Sequence, residues 1–179
     1  MTRYVALLRG INVGGKNKIA MQHLRAMFEA AGMANPRTLL QSGNVVFDSN
    51  EPAAALEAKL EAVSAKRLGL AVDYFVRDAA HWRAIIQNNP YRQQAGAEPS
   101  RLMVTCLKSA PDAGALAALQ GAIPGREQLH GEGRELYVYY PDGMGKSKLD
   151  AGWIDRKLKL SGTARNWNTV LKIAAMLAE

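Results

Sequence analysis

The segment Arg9-Gly10-Ile11-Asn12-Val13-Gly14-Gly15-Lys16-Asn17-Lys18 has residue types and spacing suited to binding chemistry. Gly10, Gly14 and Gly15 let the backbone approach a ligand and turn successive N–H groups into one concavity. Arg9, Lys16 and Lys18 supply charge suited to phosphate or carboxylate. Gly10 to Lys16 even satisfies the spacing G-x-x-x-x-G-K. Asn17, however, stands where such a loop needs Ser or Thr to hold magnesium, and the next helix is predicted to start near Ala20 or Met21, beyond the lysine. The expected chemistry is therefore anion binding without a magnesium-nucleotide loop. A glycine-rich turn that serves backbone geometry alone is the competing reading.

Three other segments have related character. Gln41, Ser42 and Asn44 surround Gly43 with uncharged hydrogen-bonding groups, with turn chemistry alone as the alternative. Asp142-Gly143-Met144-Gly145-Lys146-Ser147-Lys148 again joins glycines to lysines between a strand and a helix, with Lys146 as its candidate contact. Thr163-Ala164-Arg165-Asn166-Trp167-Asn168-Thr169 leads into the last helix. Capping by Thr163 or Asn166 accounts for part of it, leaving Arg165 and Asn168 as ligand candidates and Trp167 as core. Cys106 lies mid-strand among apolar residues, and His23, His81 and His130 lack partners at triad or metal spacing, so no metal site and no cofactor are expected.

The elements that position these residues follow from the apolar pattern. Residues 3–8 read as a buried strand. Met21, Leu24, Met27, Phe28 and Ala31 mark one helix face ended by Gly32, and residues 37–41 and 44–47 form a hairpin across Ser42-Gly43. Pro52 opens a second helix carrying Leu56, Leu60 and Val63, followed by a strand over 72–76. This βαββαβ order predicts a ferredoxin-like unit with an antiparallel sheet in strand order 4-1-3-2. In that order the loop after the first strand and the hairpin between the second and third lie at one end of the sheet. Arg9, Asn12 and Lys16 are thereby expected beside Gln41, Ser42 and Asn44.

The second half is expected to repeat the theme less regularly. A linking helix with Trp82, Ile85 and Ile86 ends at Asn89-Pro90, and residues 93–99 read as an exposed linker. Next come a strand over 102–107, a helix capped by Asp112, a hairpin of 127–130 with 135–140, and two basic C-terminal helices. The fold class is thus α+β, two ferredoxin-like subdomains with antiparallel sheets plus C-terminal helices. The expected divisions are 1–78, a linking helix and loop over 79–100, and 101–179.

At 179 residues the chain can bury a core without disulfides, and a single cysteine excludes an internal one. No stretch suits a membrane span, and Met1-Thr2-Arg3-Tyr4 runs straight into an apolar strand without a signal-peptide pattern, so a cytoplasmic location is expected. The net charge of +7 and pI near 9.7 favour anionic partners. Seven of the basic residues lie between Gly145 and Lys172, against Asp150 and Asp155, either as a basic binding face or as a solvated one.

The segments at 7–17, 41–47, 140–149 and 163–169 together closely resemble the bacterial family called domain of unknown function 1697. That resemblance spans the chain and implies two ferredoxin-like subdomains, while implying no activity. Ala20 stands where the family has proline.

Three functions compete. The first is a nucleic-acid or nucleotide-phosphate binding module using the glycine and lysine loops. The second is an enzyme acting on a small phosphorylated or carboxylated metabolite, for which a general base is missing. The third is a structural or interaction protein whose loops close the subdomains on each other. Whether the chain is an enzyme, and its oligomeric state, stay open at this level.

Overall fold

The apolar run after Arg3 becomes the central strand of its sheet in the computed structural model, which describes all 179 residues. The first six elements are β1 (Thr2–Leu8), α1 (Met21–Ala30), β2 (Ala34–Leu39), β3 (Asn44–Ser49), α2 (Ala53–Leu68) and β4 (Tyr74–Asp78). Their antiparallel sheet has the order β2-β3-β1-β4, as the βαββαβ reading requires. Strand alternation sends Tyr4, Ala6, Leu8, Val45, Phe47, Tyr74 and Val76 into the core, where α1 contributes Leu24, Met27 and Phe28 and α2 contributes Leu56 and Leu60. Phe28 meets Phe47 edge-on, with ring centroids 5.2 Å apart. Each buried Val, Leu, Met or Phe among them contributes about 1.5–3 kcal/mol by burial. Gly69 ends α2 with φ +63°, a left-handed conformation that any Cβ would disfavour.

The hairpin differs from the two-residue turn expected. Leu39 pairs with Asn44, so four residues, 40–43, make the connection and Gln41 lies in the turn. The cause is Asn44, which is fully buried and donates to the Leu39 carbonyl at 2.7 Å and to Ser42 Oγ at 3.1 Å, bracing a wider loop. β2 also starts earlier than its apolar residues suggest, with a bulge between Ala34 and Arg37. It tolerates Pro36 because it is an edge strand, where a missing N–H removes no ladder bond.

The following elements are α3 (Ala79–Gln87), α4 (Arg92–Ala97), β5 (Leu102–Leu107), α5 (Ala113–Gly121), β6 (Gln128–Glu132), β7 (Glu135–Tyr139), α6 (Ala151–Leu158), β8 (Gly162–Asn166) and α7 (Trp167–Ala178). The second sheet has the order β6-β7-β5-β8, the first sheet's order position for position. Its core gathers Leu107, Leu119, Leu129, Leu136, Val138, Leu149 and Ile154. Asp112 caps α5 by accepting from the Ala115 N–H, and Asp150 caps α6 by accepting from the Trp153 N–H.

Two expectations are corrected here. The stretch read as an exposed linker contains the helix α4. The stretch read as the approach to the last helix is the edge strand β8, which completes the second sheet; only Asn166 caps α7, accepting from the Thr169 N–H at 3.0 Å. The chain forms two compact units, Met1–Ala84 with Ile173–Glu179, and Ile85–Lys172, so their boundaries fall within α3 and α7. No helix is long and apolar enough to cross a membrane.

Candidate functional site

The loop after β1 is folded on itself by residues that accept positive φ. Gly10, Asn12, Gly14, Gly15 and Asn17 have φ between +48° and +76°. The Lys16 N–H donates to the Val13 carbonyl at 3.0 Å across the Gly14-Gly15 turn, and the Asn12 N–H donates to the Asn17 carbonyl at 3.2 Å. Ile11, 1% exposed, anchors the loop in the core.

Asn12 then ties three segments together. Its Nδ2 donates to the Ile19 carbonyl at 3.1 Å and to the Gln41 carbonyl at 2.7 Å, while its Oδ1 accepts from the Ile19 N–H at 2.9 Å. Beside this junction lies a cavity of about 600 Å³ lined by Asn12, Gly15, Lys18, Ile19, Ala20, His23 and Gln41. α1 begins there. Ala20 occupies its cap position without a side-chain hydrogen bond, and the first turn carries no acidic residue. The first intrahelical bond runs from the Leu24 N–H to the Ala20 carbonyl, so the N–H groups of the first turn have no partner within the helix, and this turn adjoins the cavity through Ala20 and His23. Lys18 and His23 add side-chain donors, a combination suited to an anion.

Of the residues singled out in the sequence, Asn12, Gly15 and Gln41 line this cavity. Gly14 and Lys16 occupy the exposed tip of the same loop. Arg9 and Gly10 do not join them; they line a separate concavity of about 280 Å³ with Asn17 and Asp73. The reason is the alternation of β1 between its two neighbours: the Leu8 N–H donates to the Gly43 carbonyl next to β3, and the Arg9 N–H donates to the Asp73 carbonyl next to β4. Ser42 and Asn44 build the turn through their mutual hydrogen bond.

Lys146, Arg165 and Asn168 belong to the second unit. Lys146 is exposed on the 3-10 turn Met144–Lys146, which is braced from both sides: Arg126 pairs with Asp142, and Ser147 Oγ donates to Glu127. Arg165 of β8 pairs with Val104 of β5 and is only 8% exposed. Its guanidinium donates to Thr163 Oγ1 at 2.9 Å and to the Ala164 carbonyl at 2.8 Å. Burial pulls its pKa down to about 10, which leaves it cationic at neutral pH. Asn168 is exposed on the first turn of α7.

Ile19, Ala20 and His23 line the cavity although they were not among the candidates. For His23 the readable signal is its place in the first turn of a helix that follows a glycine loop.

Residues 1–137 match the family model described as protein of unknown function (DUF1697). That span contains loop 9–20 and turn 40–43. Among solved structures, the chain is similar to the conserved bacterial protein SP0830 from Streptococcus pneumoniae, with a TM-score of 0.76 and 26% identity over 98% of each chain. No curated protein matches the sequence.

Proposed function

We propose, from the premise that the chain belongs to the DUF1697 family of proteins of unknown function, that its first unit binds a small phosphorylated molecule of nucleotide size between loop 9–20 and turn 40–43. The observation that carries this reading is the Asn12 junction, which holds Gln41 and Ile19 in place around one cavity with Lys18, His23 and the uncapped start of α1. A phosphate placed there meets two side-chain donors and the backbone N–H groups of a helix N-terminus. Ile19 and Ala20 offer an apolar wall for the rest of the ligand. The volume of about 600 Å³ falls within the range of small-molecule sites, roughly 300–1,000 Å³, and supports a small ligand over a nucleic-acid strand.

The test is calorimetric titration of the full chain with adenosine monophosphate, ribose 5-phosphate, inorganic phosphate and a single-stranded oligonucleotide, at low and high salt. At least one small phosphate is expected to bind, and Lys18→Ala and His23→Ala are each expected to weaken it about tenfold, as loss of a charge-assisted hydrogen bond does. Absence of binding by every small phosphate, or binding indifferent to both substitutions, overturns the reading. Binding of the oligonucleotide alone, fading as salt rises, transfers it to a nucleic-acid module.

A further inference from the structure

A second charged concavity lies on the opposite face of the first sheet, away from α1 and α2. Arg3 pairs with Asp48, and Arg37 pairs with Val46 two residues along β3, so strand alternation sets Arg3, Arg37 and Asp48 on one face. Both oxygens of Asp48 are occupied: Oδ1 accepts from Arg3 Nε and Oδ2 accepts from Asn35 Nδ2, each at 3.0 Å. Arg37 donates through Nη2 to the Met176 carbonyl at 2.9 Å and through Nη1 to the side-chain carboxylate of Glu179. These groups, with Val46 and Phe47 of β3, line a concavity of about 320 Å³.

The geometry points to a carboxylate-binding site that Glu179 fills in cis and that accepts the carboxylate of another molecule when Glu179 moves out. The free donor edge selects the ligand. Asp48 already occupies Arg3 Nε. Withdrawal of the Glu179 side chain opens one edge of the Arg37 fork, which suits the two oxygens of a carboxylate. A phosphate dianion in the same place would bring a second negative charge into the concavity that Asp48 lines, and be disfavoured. Displacement costs little: the Arg37 and Glu179 side chains are 41% and 61% exposed, so their ion pair is screened by solvent. Arg37 keeps its bond to the Met176 carbonyl in either state, so the site persists when Glu179 leaves.

The test uses the full chain as wild type, Glu179→Gln and Glu179→Gln/Arg37→Gln. Each is titrated with butyrate, with N-acetylglutamate amide and with inorganic phosphate, following the side-chain Nε–H signals of Arg3 and Arg37 by NMR. Glu179→Gln is expected to bind a carboxylate about two- to fivefold more tightly than wild type, because the competing internal group is neutralised. The double variant is expected to lose that binding while its backbone spectrum stays native. Equal binding of the two carboxylates identifies a site for any small carboxylate, whereas binding of N-acetylglutamate amide alone identifies one for an acidic peptide side chain. The inference is overturned if neither carboxylate perturbs the two arginine signals in Glu179→Gln, if wild type and variant bind equally, or if phosphate binds as well as carboxylate. Those outcomes would leave Arg37 as a cap on α7 and nothing more.

Discussion

Asn12 Nδ2 donates to the Gln41 carbonyl at 2.7 Å, joining two loops 29 residues apart in the chain. The same side chain exchanges two hydrogen bonds with the backbone of Ile19, so one amide fixes both walls of the cavity. Asn12→Ala removes all three bonds and places a Cβ at φ +52° without the local hydrogen bonding that lets Asn accept that conformation. The expected loss is about 1–3 kcal/mol in urea unfolding. Asn12→Gly restores the backbone freedom and should lose less. Hydrogen exchange gives the specific readout, because the Ile19 N–H bonded to Asn12 Oδ1 should exchange faster in both variants; unchanged protection at Ile19 would contradict the bracing role.

Gly43 and Gly14 offer a paired test of why this end of the sheet is rich in glycine. A Cβ on Gly43 would lie 2.5 Å from Ile11 Cδ1 and 2.9 Å from Leu8 Cβ, at φ +77°. Leu8 and Ile11 are buried and cannot swing aside. Gly43→Ala is therefore expected to cost about 2–4 kcal/mol, from overpacking added to backbone strain. Gly14 has φ +59° with no atom within 4 Å of its would-be Cβ, so Gly14→Ala should cost only the left-handed penalty, about 1–2 kcal/mol. Denaturation midpoints of the two variants measure the difference, and equal losses would refute the packing account.

What the sequence made legible follows the strength of its apolar patterns. The Val-Ala-Leu-Leu run of β1 and the Leu24, Met27, Phe28 stripe of α1 announce buried elements, and the βαββαβ order then dictates the strand order that brings Asn12 to Gln41. β8 was illegible because Gly-Thr-Ala-Arg-Asn has no apolar alternation; it is a short edge strand whose Arg165 is buried through hydrogen bonds to Thr163 and Ala164. α4 hid in a polar stretch for the same reason, as a six-residue helix with no buried residue. The separation of Arg9 from Gln41 depends on which neighbour accepts each β1 N–H, a register property that spacing along the chain does not carry.

The exposed edge of β4 is covered by carboxylates from α2. β4 pairs with β1 on one side only, and the Tyr74 and Val76 N–H groups are turned to its other side. Glu61 Oε1 accepts from the Tyr74 N–H at 3.0 Å, and Glu57 Oε1 accepts from the Val76 N–H at 2.8 Å. Glu57 also lies 3.5 Å from the guanidinium of Arg77, whose side chain is fully buried. Masking of this kind prevents an edge from pairing with another chain. Glu57→Ala/Glu61→Ala should lower stability by about 1–3 kcal/mol and increase self-association. Glu57→Gln/Glu61→Gln keeps a carbonyl acceptor at each position and should associate less than the alanine pair. Light scattering after size exclusion distinguishes them, and identical masses for both pairs would rule out an edge-masking role.

Acid sensitivity is expected to concentrate at Asp48. Hydrogen bonds from Arg3 and then Asn35 hold its carboxyl below the ordinary value of 3.8, against the opposing effect of burial. A carboxyl whose pKa is lower in the folded than in the unfolded chain binds its proton more readily when unfolded. Its contribution is thus complete above about pH 3.8 and is lost as pH falls through the lower folded-state value. Asp48→Asn removes the titration while keeping the shape. The stability difference between wild type and Asp48→Asn should be constant near neutrality and shrink as acid is added below about pH 3.8. Arg3→Ala should move that acid limb to higher pH, because the largest cause of the depression is gone. Urea midpoints of the three proteins across this range decide the matter: a difference that stays flat down to about pH 2 would show that Asp48 titrates alike in the folded and unfolded chains.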